Sequence, residues 1–200
     1  IESFADFLAR TNQPVVARNL CSMEDVREVH RKLETLLGDE GAYVDDIYFC
    51  PHHPDRGYPE ENPLYKIDCS CRKPKTGMIE AAAREHPVDL SSSWFIGDRT
   101  TDIQTGVNAG LATILVRTGV GGKDGRFDAR PDFTLDTLDE AVAFVVEKRP
   151  QLLTAIAPVL EHVQARTGDA LAVIAVGGQA RSGKSTLVTL LARTLEKQGA

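Results

Sequence analysis

The stretch Trp94-Phe95-Ile96-Gly97-Asp98-Arg99-Thr100-Thr101-Asp102-Ile103-Gln104-Thr105-Gly106-Val107-Asn108-Ala109-Gly110-Leu111-Ala112-Thr113-Ile114-Leu115-Val116 decides the fold. It opens on a short apolar run that predicts a buried strand ending at Gly97-Asp98. A helix is predicted over residues 101–108, stopped by Gly110, and residues 111–116 predict a second buried strand. Apolar strands alternating with helices favour a parallel sheet flanked by helices, whose sites lie at the carboxyl ends of the strands.

Working outward, the alternation continues in both directions. Upstream, Ser22 with Asp25 has the form of a capping box opening a helix to about Leu37, and Ile47-Tyr48-Phe49 reads as a short strand. After a loop rich in Pro, His and Cys, Thr76 is expected to cap a helix to about His86. Downstream, residues 119–130 form a polar, glycine-bearing loop, residues 132–135 a small strand, and residues 138–147 a helix with an apolar face of Ala141, Val142, Phe144 and Val145. The expected class is α/β, a three-layer Rossmann-like parallel sheet over residues 1–150. Residues 151–200 begin a second unit: an amphipathic helix over 151–166, then the strand Leu171-Ala172-Val173-Ile174-Ala175-Val176.

Composition narrows the function classes. The 200 residues are 42% hydrophobic, enough to bury a core, and carry 23 Lys plus Arg against 29 Asp plus Glu, a formal charge of −6. Without a long basic run, a non-specific nucleic-acid or anionic-membrane binder is not expected, although a local basic site for a small phosphate ester is compatible. No apolar run approaches the roughly 20 residues of a membrane helix, and Ile1-Glu2-Ser3-Phe4 does not read as the basic start of a signal peptide. A cytoplasmic location is expected.

Three of the four cysteines sit with a histidine in two tight pairs, Cys50-Pro51-His52 and Cys69-Ser70-Cys71, with sixteen residues between the pairs. Two thiolate-bearing knuckles joined by a loop suit tetrahedral structural zinc, leaving no open position for a catalytic water. Disulfides are the competing reading, disfavoured by the expected compartment and by the awkward geometry of a Cys-x-Cys bridge. His53 is the rival of His52 as ligand, and Cys21, standing alone, reads as a packing residue.

Directly after the last thiolate, Arg72-Lys73-Pro74 delivers two cations to a defined place. Lys73 can neutralise a phosphoryl oxygen and Arg72 offers a planar fork. A solvated basic pair is the ordinary alternative. At the end of the buried strand, Asp98 and Asp102 suit a hard divalent cation, though either alone could cap the helix that follows. Thr11-Asn12-Gln13 adds a hydroxyl and two amides able to donate to phosphate, or forms a simple turn.

Together these residues resemble the haloacid dehalogenase (HAD) superfamily. The resemblance is to its zinc-bearing group of D-glycero-D-manno-heptose-1,7-bisphosphate 7-phosphatases and histidinol-phosphate phosphatases. It runs from about Thr11 to Lys148 through Thr11-Asn12-Gln13, Cys50-Pro51-His52-His53-Pro54, Cys69-Ser70-Cys71-Arg72-Lys73-Pro74, Gly77-Met78, Phe95-Ile96-Gly97-Asp98, Thr101-Asp102-Ile103-Gln104 and Leu115-Val116-Arg117-Thr118-Gly119. Val16-Ala17-Arg18 is more similar to the heptose branch. The resemblance implies that Thr11 hydrogen-bonds the transferring phosphoryl group, with Asn12, Gln13 and Pro14 near substrate. It also implies that Lys73 offsets phosphoryl charge, Arg72 and Arg99 meet the substrate, and Asp98 binds magnesium. The implied chemistry is in-line phosphoryl transfer to a carboxylate followed by hydrolysis. The family places that carboxylate in an Asp-x-Asp strand upstream of Thr11. Asp6 is a single carboxylate in Phe4-Ala5-Asp6-Phe7-Leu8 and is not promoted to nucleophile. Phe7-Leu8-Ala9-Arg10 poorly represents the family's apolar strand. These 200 residues alone are therefore expected to be inactive, within a parent phosphatase that lacks its first strand here.

Gly178-Gln179-Ala180-Arg181-Ser182-Gly183-Lys184-Ser185, followed by Thr186, matches the phosphate-loop pattern G-x-x-x-x-G-K-[ST] between a predicted strand and a helix with apolar Leu187, Leu190, Leu191 and Leu195. It resembles the opening of a P-loop kinase of the uridine-kinase or sugar-kinase type. Fifteen residues follow Ser185 and include no Walker B carboxylate. Poor folding of this part and weak or absent ATP binding are expected, because its strand and helix lack sheet partners. Three functions follow: a magnesium-dependent sugar-phosphate phosphatase, an ATP-dependent small-molecule kinase with a non-catalytic zinc domain, and a zinc-stabilised binding module.

Overall fold

A computed structural model describes residues 8–55, 57, 61–164 and 184–197. The chain divides into two compact units, residues 1–93 with 104–111 and residues 94–103 with 112–200.

In the first unit, β1 (Leu8–Asn12) and β2 (Asp46–Cys50) pair in parallel, with Thr11 opposite Phe49 and Asn12 opposite Cys50. The weak apolarity of residues 7–10 gave little sign of a strand. β1 nevertheless forms, because backbone pairing to β2 supplies its hydrogen bonds while all five residues stay half-buried. Between them runs α1 (Met23–Asp39), opened by the expected capping box: Asp25 N–H donates to Ser22 Oγ at 3.1 Å and Ser22 N–H to Asp25 Oδ2 at 2.7 Å.

The helix α2 (Gly77–Glu85) starts where expected but not as expected. Thr76 has near-helical backbone angles, φ −95° and ψ −3°, which turn its side chain from the orphan amides. Its hydroxyl instead donates to Glu80 Oε1 at 2.6 Å. Met78, Ile79 and Ala82 give α2 its buried face, and Val16, Ala17, Val26, Cys50 and Leu111 are also buried in this unit.

The second unit holds β3 (Trp94–Gly97), β4 (Ala112–Val116) and β5 (Phe133–Leu135), all parallel in the order β3-β4-β5. The helix α3 (Thr100–Asn108) is the crossover from β3 to β4, and Gly110, at φ +71°, ends it. Four of the five residues of β4 are buried, as expected for an inner parallel strand covered on both faces. Ile114, Val116, Ala141 and Phe144 form one core cluster, with Trp94 and Phe133 packed against Phe144.

The expected single sheet is two parallel sheets: among the described residues, β1-β2 and β3-β4-β5 share no ladder. α4 (Leu138–Ala143) continues through a wider π-helical turn at Phe144–Lys148 into α5 (Arg149–Gln164), so residues 138–164 are helical throughout. α6 (Lys184–Lys197), for which sheet partners are not expected, packs on the helix α5, Leu190 and Leu191 lying in one buried cluster with Ile156 and Leu160 and flanked by Leu195. A helix face needs only one apolar neighbour, and α5 supplies it. The predicted strand over 171–176 lies outside the described residues. No described helix is long and apolar enough to cross a membrane.

Candidate metal centre and phosphate-binding turns

β2 ends at Cys50, and the chain then turns through His52; residues 69–71 return to the same place. The ligand atoms of Cys50, His52, Cys69 and Cys71 all lie within 4.8 Å of one another. The sulfur separations are 3.5 Å for Cys50–Cys69, 3.2 Å for Cys50–Cys71 and 3.1 Å for Cys69–Cys71; His52 Nδ1 stands 3.3 Å from Cys71 Sγ and 3.8 Å from Cys50 Sγ. Disulfide sulfurs would be about 2.0 Å apart. The edges of a tetrahedron with zinc–sulfur bonds near 2.3 Å are about 3.8 Å. The donor set therefore fits a tetrahedral thiophilic ion, and all three thiols are free.

Electrostatics prepare the same atoms. Burial, with hydrogen bonding to Cys71, pushes the Cys50 thiol well up. Cys69 is pulled below the usual thiol value: hydrogen bonds from the Cys71 and Cys50 thiols and from backbone amides outweigh the burial that opposes them. Burial lowers His52, favouring the neutral imidazole that ligates metal. The neighbouring ring is excluded as a ligand. His53 is 4% exposed, its Nδ1 accepts from the Asp55 amide at 3.2 Å, and its Nε2 faces the Arg18 guanidinium at 3.5 Å.

Two contacts tie this cluster to the residues that follow it. Arg72 donates to the His52 carbonyl at 3.0 Å, and Gly77 N–H donates to the Ser70 carbonyl at 3.0 Å. A Cβ on Gly77 would sit 2.7 Å from that carbonyl oxygen, so only glycine lets α2 start so close to the knuckle.

Lys73 and the Thr11-Asn12-Gln13 turn meet at the end of β1. Lys73 N–H donates to Asn12 Oδ1 at 3.1 Å, Asn12 Nδ2 donates back to the Lys73 carbonyl at 3.4 Å, and Lys73 Nζ donates to the Arg10 carbonyl at 3.2 Å. Gln13 N–H donates to the Cys50 carbonyl at 2.7 Å, and Gln13 Nε2 lies 3.5 Å from Thr11 Oγ1. Thr11, Asn12, Gln13, Pro14, Arg72 and Lys73 are all half-buried. The Thr11-Asn12-Gln13 turn and Lys73 are thus joined at one end of β1, and these residues could supply donors and positive charge to a phosphoryl group.

In the second unit, Asp98 closes β3. Its Oδ2 accepts from Val120 N–H at 2.8 Å and its carbonyl from Gly122 N–H at 2.8 Å. Asp102 is 5% exposed and accepts from Arg99 N–H at 3.1 Å, the capping role weighed for it in sequence. Asp98 is half-buried with Oδ1 outside any hydrogen bond among the described residues, which fits a carboxylate offering one oxygen to magnesium. Arg99 is exposed. Sequence gave no sign of Asp124, which accepts from Thr100 N–H and Oγ1 at 2.8 and 2.9 Å and from Thr101 N–H and Oγ1 at 3.4 and 3.3 Å. A single acid in a polar loop has no periodicity to mark it. Gly178, Gln179, Ala180, Arg181, Ser182 and Gly183 lie outside the described residues. Lys184, Ser185 and Thr186 open α6.

One unit thus holds a four-ligand soft-metal cluster next in sequence to Arg72 and Lys73, and the other, taken by itself, a carboxylate at a strand's carboxyl end. The HAD-hydrolase-like family matches over residues 70–141. The chain is 39% identical over 142 residues to a D-glycero-D-manno-heptose-1,7-bisphosphate 7-phosphatase of Thermosynechococcus vestitus, covering 68% of this chain and 71% of that one. It is 42% identical over 110 residues to the corresponding β-heptose enzyme of Photorhabdus laumondii, covering 54% and 56%. Among solved structures it resembles the D,D-heptose 1,7-bisphosphate phosphatase from B. bronchiseptica complexed with magnesium and phosphate. There the TM-score is 0.60 and the identity 31%, over 72% of this chain and 75% of that one. The chain spans little more than half the length of several curated relatives it matches. It belongs to the HAD-like hydrolase family that includes the heptose-1,7-bisphosphate 7-phosphatases.

Proposed function

We propose that the protein takes part in magnesium-dependent removal of the 7-phosphate from D-glycero-D-manno-heptose 1,7-bisphosphate. The observation that carries this is the reciprocal Asn12–Lys73 clasp, which ties the Lys73 backbone to the Thr11-Asn12-Gln13 turn at the end of β1 in a chain related to enzymes of that name. Thr11 donates to a phosphoryl oxygen, Lys73 offsets the charge that develops on it, and Arg72 and Arg99 recognise the rest of the substrate. Asn12, Gln13 and Pro14 shape the turn. Asp98 would hold magnesium, which when bound neutralises phosphoryl charge; Cys50, His52, Cys69 and Cys71 would hold structural zinc and fix the loop that carries Arg72 and Lys73.

The test uses the protein with whatever residues its encoding DNA places before Ile1. Phosphate released from the heptose bisphosphate and from histidinol phosphate is compared, with and without magnesium. Faster release from the heptose bisphosphate supports the proposal, and preference for histidinol phosphate moves the protein to the neighbouring branch.

A second reading concerns residues 151–200, read as opening a P-loop domain. Lys184, Ser185 and Thr186 lie on α6, and the phosphate-loop pattern calls for a helix at these residues. ATP phosphates would then meet Gly178, Gln179, Ala180, Arg181, Ser182, Gly183, Lys184, Ser185 and Thr186. The expected outcome of titration with ATP and magnesium is weak binding that Lys184→Ala abolishes. An affinity indifferent to that substitution contradicts the reading.

A further inference from the structure

The loop after β4 does more than connect strands. Thr100 and Thr101, the first residues of α3, turn both amides and both hydroxyls to one carboxylate, Asp124. Thr100 Oγ1 in turn accepts from Arg126 N–H at 3.1 Å and Phe127 N–H at 3.3 Å. The same loop reaches Asp98, two residues before that helix start: Val120 N–H donates to Asp98 Oδ2, and Gly122 N–H to the Asp98 carbonyl. Gly119, at φ +71°, lies against the Asp98 carboxylate so closely that a Cβ there would overlap Oδ2. Residues 119–127 therefore grip the turn 98–101 at two points, one on the carboxylate and one on the helix start.

We propose that Asp124 is a positioning residue for the metal carboxylate: by anchoring residues 119–127 to the start of α3 it keeps the Val120 amide on Asp98 Oδ2 and so presents Oδ1 to the cation. The proposal rests on the reading of Asp98 as the magnesium ligand. A hydrogen bond to one carboxylate oxygen fixes the plane of the group and selects a one-oxygen contact, and loss of such supporting partners in metal sites typically costs 10–100-fold in affinity. Asp124 bonds to Thr100 and Thr101 at the helix start, so its effect on the carboxylate passes through Val120 and Asp98.

The experiment titrates the protein with Mn2+, read by the loss of the free-ion EPR signal, and displaces it with Mg2+. The wild-type protein is expected to hold Mn2+ that Mg2+ displaces, and Asp98→Asn to lose it. Asp124→Ala is expected to weaken it about tenfold or more, within the range typical of supporting residues. Asp124→Asn, which keeps an acceptor for the Thr100 amide, should fall between wild type and Asp124→Ala. Ile114→Val serves as the control for lowered stability, since it trims the core and leaves the turn intact; it should not change the Mn2+ affinity. Wild-type affinity in Asp124→Ala, with Asp98→Asn dead, overturns the positioning role alone. Equal weakening in Ile114→Val and Asp124→Ala also overturns it, because general loosening would then explain both. Mg2+-displaceable Mn2+ that survives Asp98→Asn, or its absence from the wild type, sinks the reading of Asp98 and this inference with it.

Discussion

Two loops follow two parallel strands and are held by opposite means. The loop after β2 carries Leu64 at 80% and Ile67 at 46% exposure, so it has little apolar anchorage, and its closest convergence is the cluster of three thiols and one imidazole. The loop after β4 has no such cluster among the described residues. It is held by a carboxylate with four donors and by amide bonds to Asp98, beside a sheet whose Ile114 and Val116 are buried. The first arrangement is expected to depend on an ion for its order, while the second is complete in the polypeptide. Arg72 and Lys73, proposed to meet phosphate, thus follow a loop proposed to be set by metal, whereas Asp98, proposed to hold magnesium, follows β3 and is gripped by a loop set by hydrogen bonds.

The sharpest way to break this contrast is to deprive the Cys/His cluster of the zinc it is proposed to hold. A strong thiol-competing chelator, or Cys71→Ser, should erase amide-exchange protection over residues 62–76 while protection in β3 and β4 persists. Structural zinc contributes on the order of 10 kcal/mol in small zinc-dependent folds, so the effect should be close to complete. Equal protection with and without metal would show that the loop holds itself.

A smaller effect is expected from Ile114→Ala, which cuts into a fully buried site in the second unit. It should cost about 2–5 kcal/mol by denaturant melt and leave zinc content unchanged. Lys73→Ala should lower phosphate release about 100-fold or more, ~3 kcal/mol in transition-state stabilisation, with zinc still bound. An unchanged rate would remove Lys73 from the phosphoryl site. Ser22→Ala should cost about 1 kcal/mol, the usual worth of a side-chain cap, read as a shift in melting temperature.

The smallest effect concerns pH. Burial would raise the Asp124 carboxyl, but hydrogen bonds from Thr100 and Thr101 hold it below its ordinary value of 3.8. A depressed folded-state value means the stabilisation is present above about pH 4 and is lost as pH falls through the lower folded value. The stability gap between wild type and Asp124→Asn should therefore narrow on acidification. A gap that widens would contradict the hydrogen bonds that define the loop.

Much of this was legible in sequence where one residue type can do one job. Thiolates at Cys50, Cys69 and Cys71 had few other uses, and the apolar runs at 94–96 and 111–116 had few other conformations. β1 was less legible because its stability comes from pairing with β2, a partner more than thirty residues away that local apolarity does not report. Thr76 had the right type and place for a cap and the wrong backbone angles, which only the packing of Gly77 against Ser70 decides. Asp124 was invisible for a related reason: its four donors lie on the far side of a strand and a turn, at separations of 23 and 24 residues.

The central claim is that the Lys73 turn serves phosphoryl transfer from a heptose bisphosphate. Its most direct test follows the two phosphates of D-glycero-D-manno-heptose 1,7-bisphosphate by 31P NMR, using zinc-loaded protein with its native N-terminal sequence and magnesium. The account predicts loss of the 7-phosphate signal with the 1-phosphate retained, and no loss in Lys73→Ala. Retention of both signals by the zinc-loaded protein, or loss of the 1-phosphate first, would contradict it.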